Sequence, residues 1–297
     1  MSESPVVFDR LTHYYGRERA LDTVSFHVEP GTIVALLGRN GAGKTTALKC
    51  LLGFLPPTRG SARLLGHDAT ALPPELRNRV GYVAEGHQLV RWMRVRDHIK
   101  FQKASFESFD EDLCRDYLKR LDLPLKRRAF QLSRGMRAQM ALALALAQRP
   151  ELVILDDPAM GLDAVVRREF LEVMIDLIQE QGRTLLFTSH ILTDVERVAD
   201  RIAILDRGVL RVNAPLDVVK DRICRYRAIF DHDAPEPPEL PGLVRARQRR
   251  NELVLTVVDG DGAVREACRA LGATSVDLER LSLEDLFIDY TAGGGIS

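Results

Sequence analysis

Gly38-Arg39-Asn40-Gly41-Ala42-Gly43-Lys44-Thr45 stands between the apolar run Thr32–Leu37 and the helix-favouring stretch Lys44–Leu55. All four specified positions of the pattern G-x-x-x-x-G-K-[ST] are filled, in a strand-loop-helix context. The glycines let the backbone curl so that successive N–H groups face one concavity. The start of the following helix adds partial positive charge there. Such a loop cradles a polyphosphate: Lys44 reaches the β- and γ-phosphates, Thr45 is a magnesium ligand, and Thr46 is placed for the α-phosphate. A glycine-rich turn that binds nothing would not need the Lys-Thr pair.

Outward from this loop, the first 220 residues alternate strand and helix signals. Thr32–Leu37, Leu152–Leu155 and Thr184–Thr188 are short apolar runs, as expected of parallel strands covered on both faces. Helices are expected at Lys44–Leu55, Glu111–Leu121, Arg134–Gln148 and His190–Val198. The Ala/Leu-rich third of these is apolar nearly all round and should be buried. This alternation predicts an α/β sheet. After about Arg222 the texture changes. The segment HDAPEPPELPG (232–242) reads as an exposed connection. Strands are expected at Val244–Arg249 and Glu252–Val258 around an Asn251 turn, then helices at Gly262–Leu271 and Ser282–Tyr290 and a frayed Gly-rich tail. The expected domains are therefore 1–221 and a small α+β appendage, 222–297. No internal repeat is visible, so one nucleotide-binding unit is expected.

Composition excludes several classes. Of 297 residues, 45% are hydrophobic and 28% charged, which is globular rather than disordered. Lys plus Arg and Asp plus Glu both number 42, so no global polycation is built for nucleic acid. The Arg245, Arg247, Arg249 and Arg250 cluster reads as a solvated strand face rather than a nucleic-acid patch. The longest apolar helical candidate, Met140–Ala147, is far below the roughly 18 residues of a membrane span. The N-terminus lacks a secretory signal. Cys50, Cys114, Cys224 and Cys268 show neither C-x-x-C nor zinc spacing, so reduced, mostly buried thiols are expected. If the chain works on a membrane, another chain must span it.

Glu151–Asp157 reads ELVILDD, an apolar strand ending in two carboxylates, with Asp156 112 residues after Lys44. A strand ending beside the loop would put Asp156 near magnesium and Asp157 on the opposite face of the pleat.

Leu132-Ser133-Arg134-Gly135-Met136, at the start of the apolar helix, resembles the signature motif of ABC-type ATPases, and that family's other marks follow in register over roughly residues 5–220. Tyr15-Gly16 resembles its adenine-stacking loop, VGYVAE (80–85) its Q-loop, Gly161-Leu162-Asp163 its D-loop, and Ser189-His190 its switch histidine. The resemblance implies a P-loop core with a RecA-like parallel sheet, an antiparallel β subdomain and an α-helical subdomain at about 86–148. It implies ATP and Mg²⁺ as cofactors, with Tyr15, the loop residues 38–46, Ser133, Gly135 and Asp163 in nucleotide binding. Thr45, Asp156 and Glu85 would hold the metal, and Asp157, His190 and Glu85 would serve hydrolysis. Ser133 and the Gly135 amide form a second anion-binding helix terminus, which in the family closes on the ATP of a second ATPase subunit. A symmetric pair, a homodimer before a heterodimer, is therefore expected. Separate transmembrane permease subunits would hold it at the cytoplasmic face of the membrane. Trp92, after the Q-loop, belongs either to the groove for a permease helix or to the subunit's own core.

Three motifs depart from the commonest family pattern. Glu85 stands for glutamine, Arg134 for the first signature glycine with Met136 for glutamine, and Asp157 for the usual general-base glutamate. Aspartate keeps the acid chemistry but loses about 1.5 Å of reach, and a ~1 Å misplacement costs on the order of a hundredfold in rate. Slower hydrolysis is expected. The Glu85 swap and the closing SLEDLFIDYT (282–291) resemble subunits of ABC-2-type exporters. A non-transport ATPase of the iron–sulfur assembly type would not need residues 222–297. A regulatory module that binds ATP and hardly hydrolyses it stays open through Asp157.

Overall fold

The computed structural model describes residues 3–179, 182–260 and 262–292. The chain divides into two compact units, Met1–Asn213 and Ala214–Ser297.

In chain order the first unit holds β1 (Val6–Tyr15), β2 (Glu18–Val28), β3 (Ile33–Leu37), α1 (Lys44–Leu51), β4 (Arg59–Leu64), β5 (His67–Asp68) and β6 (Val80–Val83). There follow α2 (Val95–Ser105), α3 (Glu111–Arg120), α4 (Arg134–Leu146), β7 (Leu152–Leu155), α5 (Ala164–Gln179), β8 (Thr184–Ser189), α6 (Leu192–Val198), β9 (Arg201–Asp206) and β10 (Val209–Pro215), which runs past the division. Two sheets result. One is antiparallel, in the order β2-β1-β4-β5; the other, β10-β9-β3-β8-β7-β6, pairs β9, β3, β8, β7 and β6 in parallel. Every residue of β3, β7 and β8 is buried, as the apolar runs require. Leu11, Leu21, Leu48, Leu51, Leu36 and Ile154 share one core between the two sheets and α1. Each such leucine contributes about 1.5–3 kcal/mol by leaving water.

Local chemistry sets the helix ends. α1 stops at Leu51, four residues short of the expected end, because Gly53 turns the chain at φ 73°. Ser133 caps α4, its Oγ accepting from Met136 N–H at 3.1 Å. From Leu142 to Ala147 that helix is wholly buried, as its all-round apolarity predicts. Trp92 is 72% exposed, so its reading as a core residue is overturned. Cys50, Cys114 and Cys268 are buried free thiols, and burial pushes the first two up to about 11 and about 12. Among the described residues no helix is long and apolar enough to cross a membrane.

The second unit holds α7 (Leu216–Arg222), β11 (Ile223–Ile229), β12 (Leu243–Arg249), β13 (Glu252–Val258), α8 (Gly262–Ala270), β14 (Ser275–Arg280) and α9 (Leu283–Ala292). Its antiparallel sheet runs β12-β13-β11-β14 over a core of Phe230, Leu253, Leu255, Val264 and Cys268. The division falls eight residues before the expected 221/222, because α7 packs on β11. The expected frayed tail, 293–297, lies outside the described residues. Arg249 and Arg250 are exposed, but Arg245 and Arg247 do not form a solvated face. Both donate to Asp289 Oδ1, while Arg225 Nη2 and Thr256 Oγ1 donate to Asp289 Oδ2 at 2.8 and 2.6 Å. The carboxylate they surround is 1% exposed. Four arginines spaced along a sequence do not reveal an aspartate on a distant helix.

Candidate nucleotide site

The parallel sheet order places β8 between β3 and β7, so the loops after all three strands converge at one edge. After β3 comes the phosphate loop. Gly43 has φ 104°, and a Cβ there would lie 2.6 Å from the Ala20 carbonyl oxygen, so no side chain fits. At Gly38 a Cβ would lie 2.7 Å from the Leu205 carbonyl oxygen. Lys44 Nζ donates to the carbonyls of Gly38 and Arg39 at 2.7 and 3.2 Å. Burial pushes its ammonium below the ordinary lysine value, opposed by the charges of Asp157, Asp156 and Glu85.

After β7 come the two carboxylates. Thr45 Oγ1 donates to Asp156 Oδ1 at 3.2 Å, closing 111 residues of sequence. Asp157 does not continue the pleat to the opposite face. The strand ends at Leu155, and Asp157 takes φ 45°, which turns the chain so that both carboxylates line the same cavity. This corrects the expectation from strand alternation. β8 ends in Ser189, and after it comes His190, whose Nδ1 donates to Asp157 Oδ2 at 2.7 Å.

The cavity is about 720 Å³ and is lined by Asn40 to Thr46, Asp156, Asp157, Glu85 and His190, with Tyr15 at one side. Tyr15 is 47% exposed, ends β1 just before Gly16, and meets His13 edge-on at a ring separation of 4.8 Å. That leaves an aromatic face for a base. Glu18, Arg19, Met160 and Arg207 also line the cavity, and nothing in the sequence marked them. Gly38 and Arg39 serve through their carbonyls. Ser133, Gly135 and Asp163 do not line the cavity. Ser133 caps α4, and Asp163 Oδ1 accepts from Val165 and Val166 N–H at the start of α5.

Two further residues escaped the sequence reading. Thr188, wholly buried, donates from Oγ1 to Asp156 Oδ1 at 2.7 Å and accepts from Asp157 N–H at 2.8 Å. The strand, TLLFTS, carries hydroxyls at Thr184, Thr188 and Ser189, and nothing in the sequence singled out Thr188. His87 is buried, and its Nε2 donates to the Pro158 carbonyl at 2.6 Å. Burial holds its imidazole below the ordinary histidine value.

A loop that cradles phosphates, a hydroxyl paired with a carboxylate, and a second carboxylate held by histidine define a nucleoside-triphosphate-handling site on a parallel α/β sheet. Comparison with known proteins takes this further. A family described as "ABC transporter" matches residues 21–160. "Nod factor export ATP-binding protein I" of Paraburkholderia xenovorans (strain LB400) is 32% identical over 308 residues, covering 98% of each chain. "Bacitracin transport ATP-binding protein BcrA" of Bacillus licheniformis is 31% identical over 218 residues, 73% of this chain and 71% of that one. A solved structure titled "Structure of ATP binding subunit of ABC transporter" is 29% identical with a TM-score of 0.64, covering 73% of this chain and 92% of that one. This chain belongs to the ATP-binding proteins of the ABC transporter family.

Proposed function

We propose that this chain is the ATPase subunit of an ABC-2-type exporter, binding Mg·ATP, pairing with a second ATPase subunit and driving separate membrane-spanning subunits. The observation that carries this reading is the convergence of Lys44, Thr45, Asp156, Asp157, Glu85 and His190 on one cavity. Tyr15 stacks the adenine, the amides of residues 41–46 and Lys44 hold the phosphates, and His190 addresses the γ-phosphate end. The hard-oxygen pair of Thr45 and Asp156, with Glu85 in the same lining, suits magnesium. The ion, when bound, neutralises phosphate charge and orients the leaving group. Asp157 takes the proton from the attacking water, and its short side chain makes hydrolysis slow compared with a glutamate at that position. Ser133 and the Gly135 amide, which stand outside this chain's own cavity, cover the nucleotide of the partner subunit, and Asp163 lies beside that seam. ATP thus closes the pair and hydrolysis reopens it.

The exporter relatives match this chain end to end, including the second unit, which supports the exporter reading over an iron–sulfur assembly ATPase. Exposed Phe54, Trp92 and Phe101, at 63, 72 and 56%, support docking of a membrane-spanning partner on the first unit, at the cytoplasmic face of the membrane. The test is Lys44→Ala in the complex isolated with its membrane partner. Nucleotide affinity and turnover both fall at least tenfold if the reading holds. Retention of both would overturn it, as would the absence of any co-purifying membrane protein.

A further inference from the structure

The backbone of Asp157 is fastened from several directions. Its φ of 45° lies in the left-handed region, which a non-glycine residue keeps only when its surroundings impose it. Its N–H donates to Thr188 Oγ1 at 2.8 Å, and its carbonyl accepts from Met160 N–H at 3.0 Å. A further restraint arrives from a different segment. The carbonyl of Pro158, the next residue, accepts from His87 Nε2 at 2.6 Å. A carbonyl only accepts, so the ring's proton is on Nε2.

His87 is built for this contact. It is 7% exposed. Gly86 and His87 have φ of 79° and 50°, so the chain leaving Glu85 makes a tight left-handed turn that carries the imidazole inward. His87 N–H donates to the Ala84 carbonyl at 3.2 Å, closing that turn. The lining of the cavity includes Glu85 and Asp157, the residues on either side of this bridge.

We propose that His87 is a positioning residue for hydrolysis. Through the Pro158 carbonyl it locks the turn that aims Asp157, and it ties that turn to the segment carrying Glu85. This rests on the reading of Asp157 as the general base. A carboxylate one methylene shorter than glutamate has little tolerance for misplacement, so its backbone must be fixed more closely. Beyond the β6–β7 pairing, where Asp156 N–H donates to the Val83 carbonyl at 2.9 Å, this hydrogen bond carries a displacement of the Glu85 segment to the turn that follows Asp157. His87 itself takes no proton from substrate and touches no phosphate.

The test compares full-length H87F, H87Q and Asp157→Asn proteins by steady-state turnover, fluorescent-nucleotide affinity and melting temperature. H87F keeps a ring in the space and removes the donor. H87Q offers an amide N–H at the same reach. The expected result is a kcat at least tenfold lower in H87F, with KM and nucleotide affinity within twofold of the parent, and H87Q within threefold of parental kcat. H87F at the parental rate, with Asp157→Asn slow, overturns the positioning role and leaves the base reading intact. Loss of affinity in step with kcat, or a folded H87Q as slow as H87F, reduces His87 to a structural residue and also overturns the proposal. Parental turnover in Asp157→Asn overturns both readings together.

Discussion

His190 Nδ1 donates to Asp157 Oδ2 across 2.7 Å, joining the residue after β8 to the second residue past β7 at the mouth of the phosphate loop. With Nδ1 carrying the proton, a neutral His190 presents Nε2 as an acceptor, and Asp157 keeps its other oxygen for water. Histidine and aspartate therefore orient one another.

This pairing sets what a change of side-chain length does. In Asp157→Glu the carboxylate gains about 1.5 Å of reach toward the attacking water. With Asp157 as the proposed general base, we expect kcat to rise severalfold with nucleotide affinity unchanged, because a base acts on water in the transition state and not on bound nucleotide. Asp157→Asn should cost about a hundredfold or more. Turnover measured with the membrane partner present checks both, and equal rates for Asp, Asn and Glu would contradict a general base at this position.

Thr188 holds both carboxylate residues at once, and valine keeps its shape without its hydroxyl. Thr188→Val strands the buried Asp157 N–H, which costs about 1–3 kcal/mol. It also frees Asp156 Oδ1 from a 2.7 Å partner. We expect about a tenfold loss of kcat with a lower melting temperature, and Thr188→Ser should recover most of it. A valine variant with parental kcat would show that this hydroxyl is dispensable.

Gly135 is closed to any side chain. A Cβ there would come within 2.4 Å of Val166 Cγ1, and valine's branched side chain has little freedom to move aside. Gly135→Ala should push α4 away from α5 at a cost of about 1–3 kcal/mol. ATP binding by the isolated subunit should persist, because Gly135 lies outside the cavity, while ATP-driven pairing is lost. Adding Val166→Ala should restore pairing. Size-exclusion chromatography with ATP follows both, and failure of the double variant to recover would separate the defect from this contact.

In the second unit, burial pushes the Asp289 carboxyl up, yet hydrogen bonds from Arg225 and Thr256 and the charges of Arg225 and Arg247 outweigh it and hold it below the usual carboxylate range. A depressed native value means that the unfolded chain takes up the proton first. The contribution to stability is therefore complete above about pH 4 and disappears as pH falls through the native value. Asp289→Asn removes the buried counter-charge shared by Arg225, Arg245 and Arg247, of which Arg225 keeps Asp285, and should cost about 1–3 kcal/mol near neutrality. The gap between the two proteins should narrow below about pH 4. Urea unfolding of both across acid pH measures it, and parallel curves would rule the arginine cluster out as its source.

Whatever is local was legible in the sequence. The phosphate loop, the ELVILDD strand and the buried α4 each carry their signal within a dozen or so residues, and the structure places them as that signal implies. Strand order is not local. Nothing in the chain says that β8 lies between β3 and β7, so Thr188 read as one more residue of a buried strand. Asp157 was misassigned to the far face because alternation was extended two residues past the end of β7, where a positive φ takes over. His87 was missed, and Arg247 was read as part of a solvated face, for a related reason, since their partners, the Pro158 carbonyl and Asp289, are brought to them only by the finished fold.

The insertion of β8 between β3 and β7 also dictates when the site is born. The phosphate loop leaves the ribosome early, but Asp156 follows Thr45 by 111 residues, roughly 6 to 22 s of synthesis. Even then β7 has no neighbour joining it to β3 until Thr184–Ser189 emerges. A nascent chain ending short of that strand owns the phosphate loop and both carboxylates but lacks the strand that sets them side by side. ATP therefore stabilises only the closed sheet, by binding the native state alone, and lends nothing to the intermediates that precede it. The nucleotide acts as a late inspector of folding, rewarding chains whose central strand has already slid home.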